Sequence, residues 1–257
     1  VPVCPEVEYG LPIPREALRL VGNPADPRLV TVRTNIDHTE GMKEWAETRL
    51  KGLVDENLSG FIFKSRSPSS GMQSVKVYNE SGMPSHTGIG IFAAALMKRF
   101  PLLPAEDDGR LHDCVLRENF IERVFIYRRW QDFTQKGYSL QGLVEFHTDQ
   151  KLLLLSHSPK HYTAMGRLVA GAKNFDGDVY AAYLSLMMAG MKLQATARKN
   201  TNVLTHMAGY FKKVLSGDEK QELTEIIETY RKGLVPLVVP ITLIRHYVRK
   251  YNEPYLM

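Results

Sequence analysis

The sequence predicts an α/β domain followed by an all-α domain. In the first half, short β-prone runs at 29–32, 60–63 and 75–78 alternate with stretches of helical spacing. The second half has few strand-like runs and consists mainly of long amphipathic patterns with helical spacing. Alternating strands and helices are typical of a parallel sheet covered by helices. We therefore place the α/β domain at residues 1–134 and the helical domain at residues 135–257.

In the first half, some apolar residues follow the spacing of strands and others the spacing of helices. Residues 29–32 (Leu-Val-Thr-Val) and 60–63 (Gly-Phe-Ile-Phe) have the length and composition of buried strands, and residues 75–78 alternate like a third strand. Residues 42–53 repeat apolar side chains at helical spacing, and residues 88–97 predict a helix opened by paired glycines. This order predicts a Rossmann-like parallel sheet, in which ligands lie beyond the carboxyl ends of the strands.

The second half predicts helices. A polar stretch at 131–142 is interpreted as the domain junction. Beyond it, residues 201–215, 218–232 and 240–251 each keep helical spacing. A Ser-Gly-Asp run from Ser216 separates the first two of these helices, because it combines a stop with an N-cap.

Composition and charge narrow the class of protein. Apolar residues make up 44% and charged residues 24% of the 257 residues, as is usual for a globular protein. The sequence has no apolar run of ~18 residues and no signal-peptide pattern. We therefore expect a cytoplasmic protein without a membrane partner. Residues 1–135 hold 17 Lys and Arg against 18 Asp and Glu, whereas residues 136–257 hold 16 against 10. This one-sided basic charge indicates a polyanion such as nucleic acid, with an ordinary solvated surface as an equal alternative.

The start of the chain holds a candidate metal ligand. Cys4 lies between two prolines and two residues before Glu6, which brings a thiol and a carboxylate near one another. A cysteine on a rigid loop can bind a soft metal, but a cluster normally needs three or four thiolates. Cys114 is interpreted as a small buried hydrophobe. The opening Val-Pro-Val-Cys resembles the end of a strand that enters a loop, so we expect a sheet truncated at its N-terminus.

A second candidate loop runs from Lys64 to Gly71 directly after an apolar strand. It combines two cations, four serines, a proline and a glycine. Such a loop offers N–H and hydroxyl donors to an anion or to the polar edge of a base. A solvated serine-rich turn is the alternative on composition alone, and the preceding strand favours function. For the glycines of the following run 86–92 we favour close helix–strand packing over binding of a phosphate or sulfide.

Polar and basic residues of the helical half fall on shared faces. Spacings of four, four and three place Asn202, His206, Tyr210 and Lys213 on one helical face. Cations interleaved with stacking side chains suit RNA, although an ordinary wet helix face is the alternative for each residue. The candidate RNA-binding residues of this half are Lys199, Asn202, His206, Tyr210, Lys212, Lys213, Arg245 and Arg249.

Several runs resemble known families. The run Arg-Glu-Asn-Phe-Ile-Glu-Arg-Val-Phe at 117–125 is the most specific. It lies in the run 110–130, which together with residues 2–8, 60–71, 75–78 and 88–96 resembles the iron–sulfur thiouracil and thiouridine desulfidases of the TudS and RudS type. The runs 152–170, 200–215, 234–239 and 245–251 resemble the YbgA-like domain. The fused order is that of the RudS type, which is thought to remove sulfur from 4-thiouridine in tRNA.

The resemblance implies a thiocarbonyl hydrolysis. Three family cysteines hold a [4Fe–4S] cluster, one open iron binds the thiocarbonyl sulfur, and a carboxylate activates water. By this resemblance Cys4 is a cluster ligand, Glu6 is the base and Ser67 orients substrate or sulfide. Lys64 and Arg66 neutralise developing charge or hold a phosphate.

The resemblance also leaves alternatives open. Ser70 stands where the family has a ligand cysteine, and a hydroxyl replaces a thiolate poorly; a further family cysteine belongs upstream of Val1. The leading hypothesis is a [4Fe–4S]-dependent tRNA 4-thiouridine desulfidase, which the family pattern favours. The second is a non-catalytic tRNA-binding or regulatory protein that has lost the cluster, which the thiolate count favours. The third is a desulfidase of free thiouracil.

Overall fold

The computed structural model describes residues 1–172 and 177–257, in two compact units. The first unit spans 1–131 and the second spans 132–257. The predicted class, an α/β region followed by a helical one, is confirmed. Among the described residues, no helix has the length and apolar content of a membrane-spanning segment.

The first unit contains a mixed four-stranded sheet and a separate pair of strands. The sheet has the order β2-β1-β4-β5, and β3 pairs with β6 in parallel. Only the β1–β4 pair of the larger sheet is parallel; β1–β2 and β4–β5 are antiparallel. The six strands are β1 (Leu18–Asn23), β2 (Asp26–Thr31), β3 (Phe61–Phe63), β4 (Val75–Tyr78), β5 (Pro84–Gly88) and β6 (Ala105–Asp107).

The sheet is mixed because short turns join consecutive strands. Two residues separate β1 from β2, and five separate β4 from β5. A parallel pair needs a crossover of a dozen residues or more, so both neighbours must pair antiparallel. The expectation of a wholly parallel sheet is therefore wrong for these two pairs.

Four helices accompany these strands: α1 (Pro5–Glu8), α2 (Thr39–Asp55), α3 (Ile91–Arg99) and α4 (Cys114–Thr134). The buried positions of α2, at Met42, Ala46, Leu50 and Leu53, recur every three or four residues, which explains why the helical spacing was readable in the sequence. They pack in cores shared with the strands and with Phe92 of α3.

Three details of this unit differ from the sequence-based expectations. Residues 5–8 form a short helix with Cys4 as its N-cap, where a loop after a strand was expected. The run 84–88 is a strand, so the predicted helix begins only at Ile91. Cys114 is exposed at the start of α4 and is not a buried hydrophobe.

The regular structure of the second unit is helical throughout its described residues. Seven helices follow α4: α5 (Leu140–Asp149), α6 (Lys151–His157), α7 (Pro159–Gly171), α8 (Gly177–Met191), α9 (Ala197–Tyr210), α10 (Gly217–Arg231) and α11 (Val238–Tyr251). The last three share one core, in which Leu204, Leu223 and Ile244 are buried together.

Helix α9 ends at Tyr210, five residues earlier than the spacing predicted. The following segment folds back as turns that bury Phe211 and Leu215 in the shared core. Because these apolar side chains also fit a continued helical face, periodicity alone could not show the turn.

A capping box begins α10 and ties it to α11. The Ser216 hydroxyl accepts from the N–H of Glu219, and the Glu219 carboxylate accepts from the N–H of Ser216. The same carboxylate accepts from Lys250 Nζ at 2.7 Å and from the Tyr251 hydroxyl at 2.8 Å. These contacts, that of Lys250 foremost, lower the pKa of Glu219 to about 2.

Candidate active site

The two loops singled out in the first half of the sequence meet in the structure. Ser69 Oγ donates to Glu6 Oε1 at 2.5 Å, across 63 residues of sequence. Cys4 Sγ lies 3.7 Å from the other oxygen of the same carboxylate, Oε2. A thiol, a carboxylate and a hydroxyl therefore form one cluster, which we call the Glu6 cluster.

The Glu6 carboxylate is largely withdrawn from solvent. Its side chain is 12% exposed, and Arg15 Nη2 lies 3.6 Å from Oε2. The short helix that carries it is anchored by Glu8, whose two carboxylate oxygens accept from Cys4 N–H at 3.1 Å and from Arg49 Nε at 3.0 Å. The α2 helix thus fixes α1, and α1 fixes the direction of Glu6.

The Lys64–Gly71 loop is clamped onto the N-terminus of α3. The carbonyl of Gly71 accepts from Gly90 N–H at 2.7 Å, and that of Ser69 accepts from the N–H groups of Phe92 at 2.9 Å and Ala93 at 3.2 Å. The carbonyls of the loop satisfy the donors that a helix N-terminus would otherwise offer to an anion. The run 86–92 is therefore not a phosphate or sulfide site of that kind.

Close packing accounts for both glycines of that run. A Cβ on Gly90 would lie 2.5 Å from the carbonyl carbon and oxygen of Ser69, and a Cβ on Gly88 would collide with Val77 Cγ2. Gly90 has φ −65°, a conformation open to any residue, so the approach of the loop is what requires glycine there. Both glycines thus have a packing role, but Gly88 packs against β4 and Gly90 against the loop, where helix–strand packing was expected.

Ser67 shapes the loop and does not itself contact Glu6. Its Oγ accepts from the N–H of Ser70 at 3.1 Å and lies 3.0 Å from Ser69 Oγ. The hydroxyl that reaches the carboxylate belongs to Ser69, which the sequence analysis did not select. Four serines in one loop look alike in sequence, and only the fold distinguishes them.

Ser70 borders a cavity of about 440 Å³ beside the N-terminal segment. The residue is 8% exposed, and Val1, Pro2 and Val3 line the same cavity with Lys64. The chain segment that carries Cys4 and the loop that carries Ser70 thus face a common space.

The two cations of the loop differ in what they contact. Lys64 Nζ donates to Asp108 Oδ2 at 2.8 Å, and Ser65 N–H donates to Asp108 Oδ1 at 2.8 Å. The Lys64 contact, with that of Ser65, holds the pKa of Asp108 well below its ordinary value. The Arg66 guanidinium has no hydrogen bond or ion pair to any described residue. Arg66 is therefore the cation that remains available to a ligand.

In the second unit Lys199 has a structural contact. Its ammonium donates to the carbonyls of His157 at 2.7 Å and of Gln194 at 3.0 Å. It thereby joins the start of α9 to the end of α6. These two bonds engage the ammonium group that was predicted to contact RNA.

The predicted polar face on α9 is shorter than expected. Asn202 and His206 are exposed on the helix, and Tyr210 stacks on Tyr255 with ring centroids 4.9 Å apart. Lys213 lies beyond the end of α9, so it does not continue this face. The prediction of four residues on one helical face is wrong for Lys213.

The cations on α11 border a groove. Arg245 and Arg249 line a groove of about 510 Å³ together with the apolar side chains of Met207 and Ile241. Both arginines are exposed, as is Lys212 after α9. The second unit therefore has exposed arginines beside the apolar side chains of this groove.

Comparisons with known proteins match the first and second halves of the chain to different families. Residues 1–108 match the family model described as 2-thiouracil desulfurase, and residues 151–257 match a model described as a protein of unknown function, DUF1722. The uncharacterized protein YbgA of Escherichia coli strain K12 is 32% identical over 137 residues, 52% of this chain and 80% of YbgA. The chain belongs to the YbgA family and carries a TudS-like domain ahead of its YbgA-like domain. A solved [4Fe-4S]-dependent thiouracil desulfidase, TudS, is 27% identical and covers 46% of this chain and 72% of its own, with a TM-score of 0.35.

The donor set of the TudS-like domain does not fit an iron–sulfur cluster. A [4Fe–4S] cluster is held by thiolates, usually four. Within the described ranges no group of three or more His, Cys, Asp or Glu side chains is placed to hold a metal ion. Cys4 of the Glu6 cluster supplies one sulfur, and Ser70, at the cavity beside the N-terminal segment, would offer a hard hydroxyl oxygen.

The clamp between loop and α3 can be tested with two glycine variants. Gly90→Ala should destabilise the TudS-like domain by about 2 kcal/mol, because the new methyl group would collide with the backbone of Ser69. Gly52→Ala, inside α2, is the control: its Cβ meets only the Arg49 side chain at 3.6 Å, and it should stabilise by roughly 0.5–1 kcal/mol. Urea unfolding of both variants measures the difference, and equal stability would contradict the clamp.

Proposed function

We propose that the TudS-like domain hydrolyses the thiocarbonyl group of a thiolated uracil ring, and that its substrate is 4-thiouridine in tRNA. The match of residues 1–108 to the 2-thiouracil desulfurase family supports the reaction class. The observation that carries the proposal is the Glu6 cluster, in which a withdrawn carboxylate is oriented by Ser69 beside the thiol of Cys4.

Glu6 acts as the general base in this proposal. It accepts a proton from water while the water oxygen bonds to the ring carbon that carries sulfur, and the electron pair of the C=S bond moves to sulfur. Collapse of this adduct forms C=O and breaks the C–S bond, and the sulfur leaves with two protons as hydrogen sulfide. One water is consumed, uridine remains, and no redox partner is needed.

The neighbours of Glu6 fit this role. The Ser69 hydrogen bond fixes Oε1 and so fixes the orientation of the whole carboxylate. The Arg15 guanidinium, 3.6 Å from Oε2, holds the other oxygen of the carboxylate. The role of Cys4 as a soft-metal ligand stays a prediction, and we assign no step to an iron–sulfur cluster because a single cysteine sulfur cannot hold one.

The YbgA-like domain is the proposed tRNA-binding part. Its exposed Lys212, Lys213, Arg245 and Arg249 can contact phosphates, and phosphate contacts supply most of the affinity of proteins for nucleic acids. A thiolated base within folded tRNA must be exposed or flipped before a carboxylate can reach it. Recruitment of the tRNA and chemistry on the base would then belong to different units.

Glu6→Gln is the direct test of the base. Sulfide release from 4-thiouridine tRNA should fall about 100-fold or more, because glutamine can still accept the Ser69 hydrogen bond but cannot take a proton from water. Glu47→Gln, on the exposed side of α2, is the charge-matched control and should leave the rate unchanged. An unchanged rate in Glu6→Gln would refute the assignment of Glu6.

Two alternatives have a specific observation in their favour. The single thiolate of the Glu6 cluster favours a non-catalytic tRNA-binding protein, which would bind tRNA and release no sulfide. The family description favours free thiouracil as substrate, which would be turned over without any preference for tRNA. The same sulfide assay, run with thiolated tRNA and with free thiouracil, separates all three functions.

Removing the four exposed cations together tests the tRNA role. Alanine at Lys212, Lys213, Arg245 and Arg249 should weaken tRNA binding and reduce the slope of log affinity against log salt by about 0.7–0.9 for each phosphate that the variant no longer neutralises. A control variant removes the same charge from exposed positions of other segments: Lys160, Arg167, Lys192 and Lys220. Equal binding and equal slopes in the two variants would contradict the proposed surface.

A further inference from the structure

Helix α4 carries apolar side chains on two opposite sides. Its buried side holds Phe120, Ile126 and Trp130, each at most 7% exposed. Ile121 and Phe125 lie on the other side, where they are 46% and 60% exposed. A helix at the surface of a domain normally has one apolar side and one polar side. Neighbouring exposed apolar side chains of this kind mark interaction sites, whereas isolated ones need no explanation.

The exposed side of α4 follows a heptad pattern. Five exposed residues succeed one another at steps of four, three, four and three, and we call them the α4 seam: Cys114, Glu118, Ile121, Phe125 and Arg128. At about 100° of rotation per residue, they fall within an arc of about 80° opposite the buried side of the helix. Alternating steps of three and four are the spacing with which one helix packs along another.

The charges of the α4 seam are arranged for a partner helix that runs in the opposite direction. Glu118 lies three residues before Ile121, and Arg128 lies three residues after Phe125. In an antiparallel pair of two such helices, Glu118 of each copy lies opposite Arg128 of the other. At the centre of the same pair, Ile121 lies opposite Phe125. A parallel pair would instead place like charges opposite one another, which is unfavourable.

We propose that the α4 seam is the interface of a symmetric homodimer, in which the α4 helices of two copies pack antiparallel. A two-fold axis brings the same surface of both copies together, so the surface must be complementary to itself. The α4 seam meets this requirement in both its charges and its apolar centre. The inference goes beyond the proposed function and does not depend on it, because none of the five residues belongs to the Glu6 cluster.

The length of the α4 seam limits the strength of the association. The ten steps from Glu118 to Arg128 span about 15 Å of helix. Two helices of this length bury less than the roughly 1,600 Å² of a standard protein interface. Glu122, directly after Ile121, approaches its own symmetry mate near the two-fold axis, and this like-charge contact opposes association. We therefore expect a reversible dimer with a dissociation constant of about 10–100 μM.

Sedimentation velocity of the full chain in reducing buffer measures this association. Over concentrations from about 1 to 300 μM the protein should pass from monomer to dimer. Phe125→Ser should raise the dissociation constant at least about tenfold, because it removes an apolar side chain from the centre of the contact. The control Val54→Ser removes an apolar side chain that is 44% exposed on α2, and it should leave the dissociation constant unchanged.

Charge reversal tests the direction of the two helices. Glu118→Arg and Arg128→Glu each place like charges opposite one another in the antiparallel pair, so each should abolish the dimer. The variant with both substitutions restores opposite charges and should dimerise like the original chain. Its recovery would also show that neither substitution acts by unfolding α4.

Each outcome has a defined meaning. A chain that stays monomeric up to about 300 μM overturns the homodimer and favours a different polypeptide as the partner of the α4 seam. A dimer that forms equally well with Phe125→Ser also overturns the proposal, because its interface lies elsewhere. Loss of the dimer in both single charge variants without recovery in the double variant contradicts the antiparallel arrangement.

Discussion

The contact between Ser69 and Glu6 connects the N-terminal segment to the rest of the TudS-like domain's candidate site. The Ser69 hydroxyl donates to the carboxylate, while its backbone carbonyl accepts from the first turn of α3. One residue thus relates the position of α3 to the orientation of a candidate general base. This arrangement requires the loop to lie against the helix backbone, which is possible only because position 90 is glycine. A catalytic carboxylate must be held in place to act, and here a hydroxyl and a helix together hold it.

The fold divides the basic residues into two groups that composition does not distinguish. Lys64 and Lys199 are engaged in internal contacts, one with Asp108 and the other with two carbonyls. Arg66 and Arg245 have exposed side chains that border a pocket or groove. Fewer side chains are therefore free to contact a polyanion than the 33 Lys and Arg of the sequence, and two that remain are arginines at concave surfaces.

Sequence periodicity predicted the strands and helices whose apolar residues recur at the period of the element, because those residues form its buried face. Strand β4 was predicted at its observed bounds, and α2 and α10 to within a few residues, because their apolar residues recur at the matching period. Strand β5 (Pro-Ser-His-Thr-Gly) has no such pattern, since pairing with β4 and not burial of alternate side chains makes it a strand. The end of α9 was missed because Phe211 and Leu215 continue the helical spacing after the chain has turned.

In the candidate site too, local contacts could be predicted from the sequence and long-range contacts could not. Cys4 and Glu6 could be chosen from their spacing, because two residues of separation already bring the thiol near the carboxylate. Ser69 could not be chosen, because its contact with Glu6 spans 63 residues and depends on where α3 holds the loop. The engagement of Lys64 likewise depends on Asp108, 44 residues later. Contacts of this kind arise from tertiary packing and have no local pattern in the sequence.

The central claim is that Ser69 and Glu6 act together, and a double-mutant cycle tests it most directly. Urea unfolding of Glu6→Ala, Ser69→Ala and the double variant gives the coupling free energy, in which the contribution of the Arg15–Glu6 pair cancels. We expect a coupling of about 1.5–3 kcal/mol, the value for a hydrogen bond to a charged group. Additive effects of the two substitutions, with no coupling, would contradict the claim that this contact assembles the site.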